Sequence, residues 1–558
     1  MKDVFKKHKT KIISITTALF VGLSALLFTG YTSSNFELVK NLDIFSSLVK
    51  ELSLYYVDDV DYGESVKKGI DEMLESLDPY TVYIPESKIE DLNFMTTGQY
   101  GGIGALIRKQ GKYVVVSEPY EGFPADEAGI KAGDKLLEVD GISLKGKKTE
   151  QVSELLKGQP GTEVKLTIER AVTEKEEKVS IERRKVQVNP VPYYGMLNDE
   201  VGYVRLSSFT NKAASEVQKA VENLKEEQNA KSLVLDLRNN PGGLLIEAVK
   251  ICNLFIPQGS PVVSTKGKVE RWNKEYTAGM KPYDTEIPLT VIINSRSASA
   301  SEIVAGCMQD LDRAVVIGKR TFGKGLVQTT RELSYNAKLK VTTAKYYIPS
   351  GRCIQALDYA HRNEDGSVGR IPDSIISEFE TRNGRIVKDG GGIMPDIETE
   401  EEVLSKVSSY LMRDQMIFNY ANIYSYHHDS IPAPENYSLT DSTYENFIEF
   451  LDQKSFDYET SSEKQLKELV AVAEKEKYYE IAKDEFNALA EKIAHDREKD
   501  LKLFKDEISD LLANEIVGRY YYQEGQIKYG LHSDPDVEKA LEILSDPEKM
   551  ESILTVNN

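Results

Sequence analysis

Three short apolar runs between Val201 and Ile397, KSLVLDL, PLTVIIN and AVVIG, constrain the fold of this chain more than any other feature. They are rich in β-branched residues and nearly continuous in apolar character, which is the texture of strands covered on both faces. Patterns of helical spacing lie between them. Strand and helix in alternation predict an α/β layer.

On either side of this layer the texture changes. From Asn35 to Leu77 apolar residues recur at helical spacing (Leu38, Leu42, Phe45, Val49, Leu52, then Val66, Ile70, Met73, Leu77), and the second helix is predicted to stop at Asp78-Pro79. Between Gly98 and Arg184, short β-type runs alternate with glycine turns around one helix near Glu150 to Leu156. Beyond Glu398, Glu/Lys-rich helical periodicity dominates. The 558 residues are therefore expected to divide as follows: 1–30 an export signal or membrane anchor, 31–94 a helical region, 95–185 a β-rich module, 186–400 the α/β core, with 81–94 as a candidate addition to it, and 401–558 a C-terminal helical domain.

The export reading rests on charge placement. Lys2, Lys6, Lys7, Lys9 and Lys11 precede an uncharged, largely apolar run from Ile12 to Gly30. A basic start followed by an apolar segment is the pattern of an export signal, and its length leaves both a cleaved signal and an uncleaved anchor open. The body of the chain is then expected outside the cytoplasm, on the periplasmic side, with residues 12–30 as the route to attachment at the inner membrane. Asp and Glu outnumber Lys and Arg by 90 to 70, a net charge of −20 that repels phosphate backbones, so no nucleic-acid partner is expected. Cys252, Cys307 and Cys353 have no CxxC spacing, and neither a metal nor a cofactor is expected.

The richest chemistry lies in residues 288–328. A strand ends at Asn294, small polar residues follow, and a helix begins near Ser299. Ser299 and Glu302 stand in S-x-x-E spacing, so one reading is a helix cap and nothing more. The other is a nucleophile: a serine at a strand-to-helix elbow exposes its hydroxyl, beside free N–H groups at the helix start. DLRNNPGG, Asp236 to Gly243, offers a second place where glycines let a carbonyl approach the backbone. A nucleophilic serine needs a base, yet the six histidines (His8, His361, His427, His428, His495, His532) leave residues 9–360 empty. Lysine is the base that remains, and Lys324 in TFGKGLVQ fits: Phe322, Leu326 and Val327 are expected to desolvate its amine. Gln328, read as one helical turn on, is expected to hold that amine by a hydrogen bond.

SASASE, the lysine 25 positions after Ser299, and DLRNNPGG together resemble the C-terminal (tail-specific) processing peptidases, as do YYVDDVD, MLESLDPYT, YYIPSGRCIQ and GGIMPDIE. The resemblance spans roughly Val49 to Glu398. It implies a crotonase-like α/β protease core with an inserted β-rich PDZ domain. It also implies Ser299 as nucleophile, Lys324 as general base, Gln328 as its orienting partner, and an oxyanion hole from the N–H groups of Ala300 and of Gly242 or Gly243. Arg296 departs from the family, which usually has glycine there. Asp310 aligns with an acid common in the family, although a surface position at a helix end is an equal reading.

In the β-rich module, Tyr100, Gly101, Gly102, Ile103 and Gly104 resemble a PDZ carboxylate-binding loop, and PADEAGIKAGDKLLEVDGISL matches the stretch that follows it. The partners expected are proteins or peptides with free, apolar C-termini, and the helical regions are candidates for a homodimer contact. The reading is a serine endopeptidase that grips tails of exported proteins. Its rivals are a non-catalytic PDZ adaptor retaining a peptidase-like core, which would bind without turnover, and an acyl-CoA-handling crotonase-type enzyme.

Overall fold

The computed structural model describes residues 36–363, 365–371, 376–400 and 403–555. The apolar run of residues 12–30 lies outside them. No helix among the described residues is long and apolar enough to cross a membrane. The chain divides at Tyr83/Ile84 into two compact units. In the first, helix α1 covers residues 36–55 and α2 spans Tyr62–Glu75, with Asp61 capping α2 by accepting the Glu64 N–H at 2.9 Å. Leu38, Leu42, Phe45 and Leu52, the apolar stripe of α1, are exposed.

The second unit opens with α3 (Ile89–Thr97), closed by Gly98 in the left-handed conformation. Strand β1 (Gln99–Gly102) leads into β2 (Ala105–Gln110), β3 (Tyr113–Pro119) and β4 (Lys135–Val139), then helix α4 (Thr149–Leu156) and strands β5 (Glu163–Glu169), β6 (Glu176–Glu182) and β7 (Arg184–Gln187). The sheet runs β2-β3-β4-β5-β6, and β1 pairs with β7 in a separate ribbon. Alternation along β5 buries Val164, Leu166 and Ile168 while Glu163 and Lys165 face water. This half-buried texture separates the module from the core.

The core sheet uses β8 (Tyr193–Met196), β9 (Val201–Arg205) and β10 (Ser232–Asp236), with helices α5 (Ala213–Glu222) and α6 (Leu245–Phe255). After β11 (Pro261–Gly267) come β12 (Leu289–Ile293), α7 (Ala300–Asp310), β13 (Val315–Gly318), β14 (Leu326–Glu332), β15 (Lys338–Tyr347) and β16 (Ile397–Glu398). The sheet order is β8-β9-β10-β12-β13-β16, parallel throughout except for the β8–β9 pair. Every residue of β10, β12 and β13 is buried, as their unbroken apolar runs require. One face packs on α5, α6 and α7.

The other face is covered from far along the chain. Helices α8 (Met416–His427) and α9 (Lys505–Gly530) belong to a helical core of their own. By contrast α10 (Pro535–Leu544) and α11 (Pro547–Leu554) set Val537, Ala540, Ile543 and Met550 against Tyr203, Val234, Ile292 and Ile317 of the sheet. The expected single C-terminal helical domain thus gives its last two helices to the α/β layer. Arg238 secures them, pairing with Asp534 at 2.6 Å and Asp536 at 2.9 Å while also binding the fully buried Asp236.

Candidate active site

The site forms where β10 and β12 end side by side. Small polar residues sew the two ends together, which explains the serine-rich loop. The Ser297 hydroxyl donates to the Leu237 carbonyl at 2.8 Å, the Ser301 hydroxyl to Asn240 O at 2.9 Å, and the Ala298 N–H to the same Asn240 carbonyl at 3.0 Å. Asn239 and Asn294 bond reciprocally at 3.0 Å. At the start of α7 Ser299 adopts φ +56°, ψ −111°, a conformation that costs a non-glycine residue on the order of 1–3 kcal/mol. Such a turn is what an elbow needs to lift one side chain clear of strand and helix.

Glu302 explains how that turn is held. Its carboxylate is wholly buried and accepts four donors: the Ser299 N–H at 2.7 Å and the Lys324 N–H at 2.9 Å on one oxygen, the Gly323 N–H at 2.8 Å and the Thr321 hydroxyl at 2.6 Å on the other. Burial pushes the Glu302 carboxyl above the usual carboxylate range, against the pull of those donors. One oxygen thereby fixes the backbones of Ser299 and Lys324 as neighbours. Tyr346 ties them again, its hydroxyl lying 3.0 Å from the Ser299 carbonyl and 2.6 Å from that of Lys324. Ser299 and Glu302 hold the capping positions foreseen from S-x-x-E. However, the Ser299 side chain makes no cap hydrogen bond, and the Glu302 N–H takes the Ser299 carbonyl at 2.9 Å instead.

Gly242 packs directly beneath the elbow. A Cβ there would stand 2.7 Å from the Ala298 carbonyl and 2.8 Å from the Ser299 Cβ, at φ +97°. Its N–H is already committed to the Asn240 side chain at 2.9 Å. Of the two glycines expected to supply an oxyanion donor, Gly243 is therefore the one left: its N–H, like that of Ala300, has no acceptor among the described residues.

Lys324 is half-buried in the loop ahead of β14. Gly325 meets Gln355, where a Cβ would lie 2.8 Å from a backbone nitrogen. Leu326 is buried and Val327 packs on the core, whereas Phe322 is 47% exposed. The helical turn expected between Lys324 and Gln328 is absent. Gln328 lies in β14 at a register shift against β15, and its amide donates to the Thr342 hydroxyl at 3.2 Å. β-Branched Val327, Thr329 and Thr330 carry the strand signal that the apolar spacing obscured.

Arg296 is exposed at the loop, its N–H on Asn294 Oδ1 at 3.1 Å. Asp310 is no surface residue. Its carboxylate is buried against Arg352, itself 1% exposed, at 2.8 Å and also accepts the Ser350 N–H at 2.9 Å. Glu302 as an organising carboxylate, Tyr346 and Arg352 all escaped the sequence reading.

In the β-rich module, Tyr100, Gly101 and Gly102 pair with Val186, Lys185 and Arg184 rather than forming an open loop. Ile103 and Gly104 make the turn into β2, Gly104 at φ +74° with a would-be Cβ 2.4 Å from Phe123. Between β2 and α4 runs a groove of about 340 Å³ lined by Tyr100, Ile103, Ala105, Leu106, Ile107 and Leu156 among others.

Residues 200–360 match "Peptidase family S41", residues 115–170 a "PDZ domain", and residues 407–544 the "Probable PDZ-protease, C-terminal helical domain". A "Carboxy-terminal-processing protease" of Bartonella bacilliformis is 35% identical over 373 residues, 66% of this chain and 83% of its own length. A "Probable CtpA-like serine protease" of Staphylococcus aureus is 36% identical over 348 residues, 62% of this chain and 68% of its own. Among solved structures, a photosystem II D1 C-terminal processing protease is 29% identical, covering 64% of this chain and 87% of that one at a TM-score of 0.36. An α/β core with a glycine turn under a strained serine, the matches to the family models and the likeness to the Bartonella bacilliformis protease lead to one assignment: the chain belongs to peptidase family S41, among the carboxy-terminal processing proteases that carry a PDZ domain.

Proposed function

We propose that this peptidase is a serine endopeptidase working by a Ser-Lys pair. The Ser299 hydroxyl attacks the scissile carbonyl while the neutral amine of Lys324 takes its proton. The tetrahedral oxyanion is stabilised by the N–H groups of Gly243 and Ala300, and the protonated amine returns its proton to the leaving nitrogen. Water, with Lys324 again as base, then releases the acyl-enzyme. Gln328 bears on the amine's orientation from the adjoining strand. The module of residues 95–185 takes the free C-terminus of a substrate protein, so that cleavage falls upstream of a captured tail. The Lys-rich start and apolar run of residues 2–30 place this work on exported proteins, outside the cytoplasm.

One observation supports the reading: a single buried carboxylate, Glu302, binds the N–H groups of both Ser299 and Lys324, so the backbones of these two residues are neighbours. Incubation with an unfolded protein ending in an apolar tail tests it. Ser299→Ala and Lys324→Ala should each lower the cleavage rate by about 10³-fold or more. Turnover that survives either substitution would overturn the mechanism.

A further inference from the structure

We infer that Lys157 is the cation that receives a peptide's terminal carboxylate in the β2–α4 groove, and that Asp91 of α3 occupies it until a peptide arrives. The inference rests on reading that groove as the tail site.

The groove itself explains the apolar part of recognition. Ile103, Ala105, Leu106, Ile107 and Leu156 line it, and β2 is the edge strand of its sheet, with a ladder side open to an extended peptide. Glu150 and Glu154 line the α4 side, and the cations of the lining are Lys88 and Lys157. Lys157 directly follows α4, and the next residue, Gly158, donates its N–H to the Gly101 carbonyl at 3.1 Å. The ammonium is therefore at the same end as the Ile103–Gly104 turn, whose N–H groups have no acceptor among the described residues. It lies 5.8 Å from the centroid of the Tyr100 ring, and its side chain is 24% exposed.

A carboxylate already sits on it. Asp91 Oδ1 is 2.6 Å from Lys157 Nζ, and Asp91 lines the groove with its helix neighbour Phe94, which packs edge-on against Tyr100 at 5.3 Å. A second pair, Lys88 with Glu154 at 3.0 Å, fastens α3 to α4 a turn away with the charges reversed. Asp91 thus presents to Lys157 the same functional group as a protein's terminus. An arriving tail must exchange with it, and a bound tail leaves α3 tethered by Lys88 alone. Exchange is inexpensive because the Asp91 side chain is 43% exposed and regains water on release.

The test uses the full chain carrying Ser299→Ala, so that no peptide is cut, and fluorescence anisotropy of a short labelled peptide ending in leucine, as free acid and as amide. The free acid should bind better than the amide. Asp91→Asn should tighten the free acid about threefold and leave the amide unchanged, whereas Asp91→Glu should retain the parent affinity. Lys157→Met should weaken the free acid about tenfold and abolish most of its advantage. Circular dichroism on each variant separates misfolding from a binding effect. An unchanged or weaker free acid on Asp91→Asn, or a full acid preference on Lys157→Met, overturns the inference while the tail site stands. No acid preference in the parent chain brings down the tail-site reading itself.

Discussion

The Ser299 elbow and the β2–α4 groove both present backbone N–H groups at a glycine turn, yet they are held in opposite ways. At the elbow the fastenings are mostly buried, the Asn239–Asn294 pair being the exposed exception: Glu302 accepts four donors, Asn240 receives Ser301 and Ala298, and Ser297 bonds across to Leu237. At the groove the fastenings are half-exposed ion pairs, Lys88 with Glu154 and Lys157 with Asp91. Buried polar groups with satisfied bonds allow one arrangement, because breaking any one strands the rest without water. Exposed pairs trade partners at little cost. A reacting centre needs the first property and a site that must admit varied chains needs the second.

Substitutions at the two places should separate widely if this contrast is sound. Lys324→Ala heads the series, with the loss of about three orders of magnitude in turnover stated above and no comparable loss of stability. In the parent enzyme the rate of peptide cleavage should climb as pH rises through the alkaline range, since an ammonium cannot accept the serine proton. A rate that falls across that range would contradict an amine base. Glu302→Gln should come next. An amide offers donors where the site already supplies four, and a loss of about 3 kcal/mol on urea unfolding is expected, together with a collapse of kcat. Gly242→Ala should follow at about 2 kcal/mol, because the new methyl meets the Ala298 carbonyl and the backbone is left-handed there. At the groove, Lys88→Met should shift stability by less than about 1 kcal/mol. A groove substitution as damaging as Glu302→Gln would erase the distinction.

The interface between the PDZ module and the helical core shows how far local rules can be overridden. Helix α9 runs 26 residues but breaks at Tyr522, φ +51°. The break frees the Gln523 N–H to reach Glu118 at 2.8 Å, while the Tyr522 hydroxyl reaches Asp126 at 2.9 Å. No glycine or proline marks the position of the break itself, and the partners lie some 400 residues earlier. Burial pushes the Glu118 carboxyl upward despite that hydrogen bond.

By itself the sequence determined the elements whose cause is local. Continuous β-branched runs required strands buried on both faces, and the serine-rich joint after Asn294 required a turn into a helix. The absence of histidine from residues 9–360 excluded a histidine base from that stretch. What the tertiary structure decided was which distant groups meet. Gln328 joined a strand because β15 was there to pair with it, Asp310 was buried against Arg352 from the turn after β15, and α10 and α11 left the helical core to cover β10 and β12. Asp91 met Lys157 in the same way. Periodicity records whether a side chain is covered, since that depends on spacing along one element; the identity of the covering partner depends on topology, which no window of neighbouring residues contains.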